Sequence, residues 1–267
     1  MDIQFANAYE LVASVLVFFF GHFLLIAGFA YAVVWWQGSE VFGHRRIQQR
    51  PRRARPWLEL QHSTTSILIF TLLLCGLWIV SEAGFTRVYF TVAEHGTAYF
   101  VFSIVVMAVV HDTYYYFAHR FMHHPKVFRY VHKVHHSFSN PTPFASYAFH
   151  PLEALIEVAW VGPLMLIMPI HPAAFAIYVV ILTVFNVISH LGYEFYRPTV
   201  ARWFITSTHH NMHHAGSKGH YMLYFNLWDR LLATNTVDYE ARVREITARP
   251  AGAASPVSDV GLASAPG

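Results

Sequence analysis

The chain gathers its apolar residues into runs of bilayer length. From Leu11 to Trp36 no residue is charged, and only His22 interrupts the apolar series. Ser63 to Ser81 is again free of charge. Each run is long enough to cross the hydrocarbon core as a helix. Thr97–Val110 continues through His111 and Asp112 to Ala118, and reads as a weaker third span with polar residues at its far end. Leu152–Met168 and Ala173–Ile188 are two shorter spans joined by Pro169-Ile170-His171-Pro172, a tight turn, and read as a helical hairpin or a re-entrant pair. The pattern predicts an all-α, polytopic membrane protein, with a cap built from Phe121–Pro151 and Glu194–Tyr239 against one end of the helices.

Composition agrees: 55% of the 267 residues are hydrophobic and 12% are charged, about half the charged share of a soluble domain. The net charge of +3 matters less than its placement. Arg45, Arg46, Arg50, Arg52, Arg53 and Arg55 crowd the loop between the first two spans. Such a loop elsewhere would suggest nucleic acid; between two spans it marks the cytoplasmic side. Counting spans from there puts His119–His136, His190 and His209–His214 on that same side. Met1–Glu10 lacks the basic n-region of a secretory signal. Cys75 is the single cysteine, so neither a disulfide framework nor a cysteine metal site is available. After about Thr247 the composition turns to Ala, Gly, Ser and Pro, and 241–267 is assigned to a disordered C-terminal tail.

The chemistry-bearing feature is histidine, nineteen of them. His119-Arg-Phe-Met-His123-His124, His132-Lys-Val-His135-His136, a lone His190, and His209-His210-Asn-Met-His213-His214 all fall just outside apolar runs. On a helix, positions i, i+3 and i+4 share a face, so each cluster is expected to aim two or three imidazoles at one point. A buried histidine needs a hydrogen-bond partner, and three together on one face compete for partners or repel when protonated. Neutral imidazole suits zinc, copper, iron and nickel. One mononuclear site uses three or four ligands, so eight or nine convergent ones imply two metals. His190 lies one turn after Asn186 at the end of a span, where a polar residue is functional by default. His124 and His209 are set beside the ligands or at the surface. His22, His44, His62, His95 and His171 read as structural or interfacial, and His111, His150 and His220 are left open.

Carboxylates are scarce near the clusters. Asp112 and Glu153 are expected to accept the second ring proton of ligating histidines, whereas Glu157 and Asp229 are as readily ordinary ion-pair partners of Arg or Lys. Tyr114-Tyr115-Tyr116-Phe117 reads as an interfacial aromatic belt.

The run from His111 through His119 to His124 resembles the first histidine box of the membrane fatty acid hydroxylase and sterol desaturase superfamily. Phe128-Arg-Tyr-Val-His132-Lys-Val-His135-His136-Ser137, with Asn140-Pro-Thr-Pro143, resembles the second box. His150-Pro-Leu-Glu153, Asn186–Glu194, Thr208–His214 and Asn226-Leu-Trp-Asp229-Arg230 resemble the later elements. The resemblance covers Val101 to Asp238. It implies a non-haem di-iron centre activating O2 at the membrane surface, with His119, His123, His132, His135, His136, His190, His210, His213 and His214 as ligands. Some relatives carry a further histidine where this chain has Asn186, which leaves the set one short or completed by water. After Arg230 the chain reads Leu-Leu-Ala-Thr, where Leu-Phe-Gly-Thr is commoner.

The activity implied by the resemblance is that of an O2-dependent oxidoreductase that hydroxylates or desaturates a lipid, a sterol or fatty acyl chain entering sideways from the bilayer. No Gly-rich dinucleotide fingerprint or iron–sulfur cysteine set is present, so a separate cytoplasmic electron donor is implied. The domain division expected is 1–95, an N-terminal transmembrane region with the basic loop, then 96–240, the catalytic domain. Two other classes stand beside this reading. A histidine-rich metal transporter or sensor would place ligands near the bilayer midplane, whereas here they gather at one face. A zinc-site hydrolase needs only three or four ligands.

Overall fold

The computed structural model describes residues 7–38, 41–48, 53–216, 218–236 and 238–251. Four helices among them are long and apolar enough to span a membrane: Ala8–Gln37, Pro56–Glu82, Gly96–Met122 and Pro172–Ser189. We label α1 (Ala8–Ala30, continuing as a π-helical turn to Gln37), α2 (Pro56–Glu82), α3 (Gly96–Met122) and α8 (Pro172–Ser189) accordingly. Between α3 and α8 come α4 (Pro125–Val131), α5 (Lys133–His136), α6 (Pro151–Val158) and α7 (Val161–Ile167). After α8 come α9 (Pro198–Ala201), α10 (Ser207–Gly216), α11 (Leu227–Leu231) and α12 (Tyr239–Thr247). No β-strand occurs among the described residues, only isolated bridges such as Phe204 with Phe225. The all-α membrane architecture is therefore as the hydrophobic runs predict.

The expected span Leu152–Met168 is not one helix. It breaks at Ala159-Trp160 into α6 and α7. Pro163 explains the break, because it has no N–H to donate to the Ala159 carbonyl one turn back. The start of the expected tail, from residue 241, is instead ordered. Residues 241–247 complete α12, which buries Val243 and Ile246, and Arg249 reaches the Arg46 carbonyl. Residues 252–267, and Arg50 and Arg52 of the basic loop, lie outside the described residues.

Three helix starts share one device. His124, His150 and His171 each precede a proline that opens a helix, and the Nδ1 of each accepts the backbone N–H two residues on, at 3.3, 3.2 and 3.1 Å. Proline at the first helical position lacks an N–H that would be orphaned anyway, and the imidazole satisfies the next donor. These histidines are caps.

The expected boundary at 95/96 does not divide the packing. Phe19 and Phe23 of α1 and Ile67 and Phe70 of α2 share one core with Met107, Tyr147, Tyr178 and Leu223. Inside it, the Tyr147 hydroxyl and His22 Nε2 both meet Thr183 Oγ1, at 2.5 and 2.9 Å. The basic loop closes over the end of the bundle that carries the histidine clusters. Gln48 Nε2 donates to the Ser139 carbonyl (2.6 Å) and to Asn211 Oδ1 (3.1 Å), and Arg55 to the Ser137 carbonyl (2.8 Å). The clusters and this loop thus share one end of the molecule, as the span count requires.

Candidate metal centre

Nine imidazoles converge there in two groups. His119, His123, His132, His136 and His213 form one, and His135, His190, His210 and His214 the other; within each, the ligand atoms lie within 4.8 Å of one another. All nine expected ligands are brought together, but not one cluster to one point. Adjacent positions on a helix are about 100° apart, so His135 and His136 face different groups, as do His213 and His214. His136 and His214 still stack across the divide, ring centroids 4.8 Å apart.

The donor set fits a metal for a reason internal to the geometry. His119 Nδ1–H donates to the Tyr221 carbonyl (3.0 Å), His213 Nδ1–H to Gly219 (2.7 Å), His135 Nδ1–H to Ala148 (3.4 Å) and His190 Nδ1–H to Asn186 (2.8 Å). A carbonyl only accepts, so the proton of each neutral ring sits on Nδ1 and its Nε2 presents a lone pair. Those Nε2 atoms are crowded: His119 to His132 and His123 to His213 at 3.0 Å, and His136 to His132 at 3.1 Å. In the second group His190 meets His210 at 3.0 Å and His135 at 3.3 Å, and His210 meets His214 at 3.0 Å. In His119–His132 and His135–His190 both rings have their Nδ1 proton engaged, so lone pair faces lone pair, which repels unless a cation lies between them. His119, His132, His135, His190, His210, His213 and His214 are buried. Burial first, then the neighbouring imidazoles, holds His132, His135, His210, His213 and His214 well below the usual histidine range. His190 is pushed down to about 4 and His136 to about 3, mainly by burial. Rings kept neutral keep their lone pairs for a metal.

The polar surroundings differ in part from expectation. Glu153 is where it was expected, its Oε1 2.6 Å from His132 Nδ1 with both groups buried. Asp112 is not. Its carboxylate accepts the backbone N–H groups of Leu223, Tyr224 and Phe225 at 3.3, 2.9 and 3.2 Å, so it moors the loop after α10 to α3 instead of touching a ligand. Two turns separate Asp112 from His119, and that rise is spent reaching the loop. Asn186 acts on His190 through its main-chain carbonyl. Asp229 pairs with neither Arg nor Lys. It takes the N–H groups of Tyr221 and Met222, at 3.0 and 2.9 Å, the Thr234 hydroxyl and His209 Nε2 (3.3 Å). The same loop supplies the carbonyls of Gly219 and Tyr221 that orient His213 and His119. Gly219 has φ 71°, and a Cβ there would collide with the Thr234 carbonyl oxygen. His111 lies deeper, its Nδ1 2.5 Å from the Tyr178 hydroxyl and 3.1 Å from that of Tyr224. The aromatic belt is also corrected: Tyr115 and Tyr116 are buried, and Tyr115 and His119 are ring neighbours at 5.0 Å.

Residue-type reasoning could not find the Ala148, Gly219 and Tyr221 carbonyls, because a backbone acceptor carries no residue signature. The Asn226–Arg230 motif was the one available signal for the loop, through Asp229.

The fatty acid hydroxylase family model matches residues 104–234, which contain all nine histidines. This domain belongs to the fatty acid hydroxylase and sterol desaturase superfamily. Among curated proteins, this chain is 27% identical to a Delta(7)-sterol 5(6)-desaturase of Gibberella zeae, over 77% of this chain and 66% of that protein. It is 29% identical to the human lathosterol oxidase over 65% of this chain and 58% of that one. With the mouse lathosterol oxidase the identity is 31%, over 58% and 53%. The match thus spans less than two thirds of these relatives' own length. No solved structure matches the chain.

Proposed function

We propose that the protein is a membrane-bound, O2-dependent di-iron oxidoreductase that hydroxylates or desaturates one C–H position of a lipid drawn from the bilayer. The observation that carries this reading is the pair of adjoining, buried histidine groups. Nine neutral imidazoles exceed what one zinc ion uses, and imidazole without thiolate suits iron. Two iron ions held there supply, with O2, the oxidising power that an unactivated C–H bond demands.

The protein's own part is positional. Glu153 holds His132 by its Nδ1 proton and raises the basicity of the opposite nitrogen. The carbonyls of Ala148, Asn186, Gly219 and Tyr221 do the same for His135, His190, His213 and His119 without adding charge. The buried shell keeps bulk water from the reacting atoms. Tyr115 and Phe149 adjoin His119 and His135, ring centroids 5.0 and 5.2 Å apart, and pack in one core with Tyr147, Tyr178 and Tyr224. The arginines of the basic loop support a cytoplasmic metal face, reached there by a separate electron donor. The names of the relatives make sterols the first substrates to test.

The test compares lipids from cells expressing the wild type or His135→Ala, and iron in the purified proteins, with His213→Ala as a second variant. A wild-type-specific lipid one oxygen heavier indicates hydroxylation; one two hydrogens lighter indicates desaturation. Full activity and full iron in both variants would overturn the site.

A further inference from the structure

A cavity of about 830 Å³, lined by none of the nine clustered histidines, opens on the surface between the segment after α9, α11 and α12. Its frame is fixed by backbone pairing. Ile205 N–H donates to the Tyr224 carbonyl (2.9 Å), and Asn226 N–H to the Trp203 carbonyl (2.8 Å). Three observations bear on what it holds.

The first is depth. Trp228 Nε1 donates to Thr113 Oγ1 at 3.2 Å, and its ring packs on Phe117, centroids 5.3 Å apart. The apolar run of α3 ends at Val110. Thr113 and Phe117 lie about 5–10 Å further along the helix axis, flanking the point about 20 residues from Gly96 at which a span starting there leaves the hydrocarbon core. Helix α11 is therefore held beside the membrane interface. The second is exposure. Trp203 is 59% exposed, Leu227 52%, Leu231 64% and Phe117 49%, an apolar rim with no covering element among the described residues. Trp at this level is an interfacial anchor. The third is charge. The Arg202 and Arg230 guanidiniums sit over the Trp203 ring at 5.6 and 5.5 Å, and Arg244 lines the same cavity. Glu240 is the one acidic rim residue, 3.4 Å from Arg230 and 3.7 Å from Arg244. Asp229 also lines the cavity, but its carboxylate is occupied from behind by the loop. Arg230 and Arg244 in the lining, with Arg202 beside it over the Trp203 ring, thus outnumber the carboxylates of Glu240 and Asp229, and exposed pairs of this kind exchange readily.

We propose that this cavity is a binding site for an anionic phospholipid of the adjoining leaflet. The headgroup phosphate sits among Arg202, Arg230 and Arg244, and an acyl chain lies along Leu227, Leu231 and Phe204. The site is separate from the metal centre and does not depend on the reaction assigned to it. It fastens α11, and with it the Asp229 loop, to the bilayer.

The experiment uses the full chain in neutral detergent, titrated with dioleoylphosphatidylglycerol or dioleoylphosphatidylcholine while thermal unfolding is followed. Phosphatidylglycerol is expected to raise the midpoint at lower concentration than phosphatidylcholine. In Arg230→Gln/Arg244→Gln the half-effect concentration should rise by about tenfold or more, since each interfacial arginine contributes about fivefold. A second measurement needs no arginine change. Phosphatidylglycerol spin-labelled near the headgroup should quench a tryptophan component that is missing in Trp203→Phe. Equal stabilisation by the two lipids, identical quenching in wild type and Trp203→Phe, or a full effect from glycerol phosphate alone would each overturn the proposal.

Discussion

Replacing Glu153 tests whether outer hydrogen bonds hold the metal groups in shape. The Glu153–His132 contact is 2.6 Å long and buried on both sides. In Glu153→Gln an amide oxygen can still accept the His132 proton, so shape and volume persist; burial pushes the Glu153 carboxyl well up, so the charge that is lost is the one it would carry beside a bound metal. Hydrogen bonds to charged groups exceed neutral ones by about 1 kcal/mol, so metal affinity should fall by about fivefold to tenfold. In Glu153→Ala the His132 N–H is left unsatisfied in a dry site, at about 1–3 kcal/mol, and the loss should approach the ~100-fold upper end known for such outer partners. Because Glu153 touches only His132 among the ligands, the weakening should fall on the five-histidine group. The assay is iron per chain by elemental analysis after dialysis against graded chelator. Wild type should release two ions over one range, whereas Glu153→Ala should release one of them at about a hundredfold less chelator. If Glu153→Ala folds with normal helicity and keeps both ions at wild-type chelator levels, the reasoning fails.

Other positions give sharper contrasts. Gly219→Ala should strain a φ of 71° and push against the Thr234 carbonyl; the displaced Gly219 carbonyl then releases His213, and iron retention should fall while α3 and α8 remain helical by circular dichroism. Ala233 sits at φ 51°, a left-handed conformation costing a residue with a Cβ about 1 kcal/mol, so Ala233→Gly should raise the unfolding midpoint without altering iron content. Asn186→Ala should leave His190 in place, because the bond to His190 comes from the main chain. Asn186→His should instead tighten iron in the four-histidine group, read as a higher chelator concentration for release of one of the two ions.

The spans and the convergence of the nine histidines were legible because both depend on residue type. Charge-free runs of bilayer length have few soluble alternatives, and histidines spaced three and four apart advertise a shared helix face. What escaped the reading depended on three-dimensional placement. Pro163 sits in a run as apolar as its neighbours, so only its missing N–H reveals the break between α6 and α7. Asp112 has the helical phase of His119, but phase does not say whether a carboxylate reaches along its own helix or out to a loop. His150 and His171 looked open or structural, and the prolines that follow them were the overlooked signal for caps. The departure from Gly at Ala233 looked minor and distant from the ligands, yet it falls on the one turn residue there with positive φ.

The division of the nine histidines into two groups shows how the repeated H-x-x-H-H spacing serves the two-metal reading proposed above. In the first copy, His132 and His136 stand four apart and enter the five-membered group, while His135, 100° from His136, turns to the other. In the second copy the assignment is exchanged: His210 and His214 enter the four-membered group and His213 crosses over. Each group therefore takes a pair from one copy and a single ring from the other. The five-membered group adds His119 and His123, a pair four apart at the end of α3. The four-membered group adds only His190, at the end of α8, and the position four residues before it is Asn186. The two groups are pseudo-equivalent, and the missing imidazole falls where the equivalence predicts it. An ion in the four-membered group would then keep one more coordination position open than its neighbour, which makes that group the better candidate for exchanging ligands during turnover.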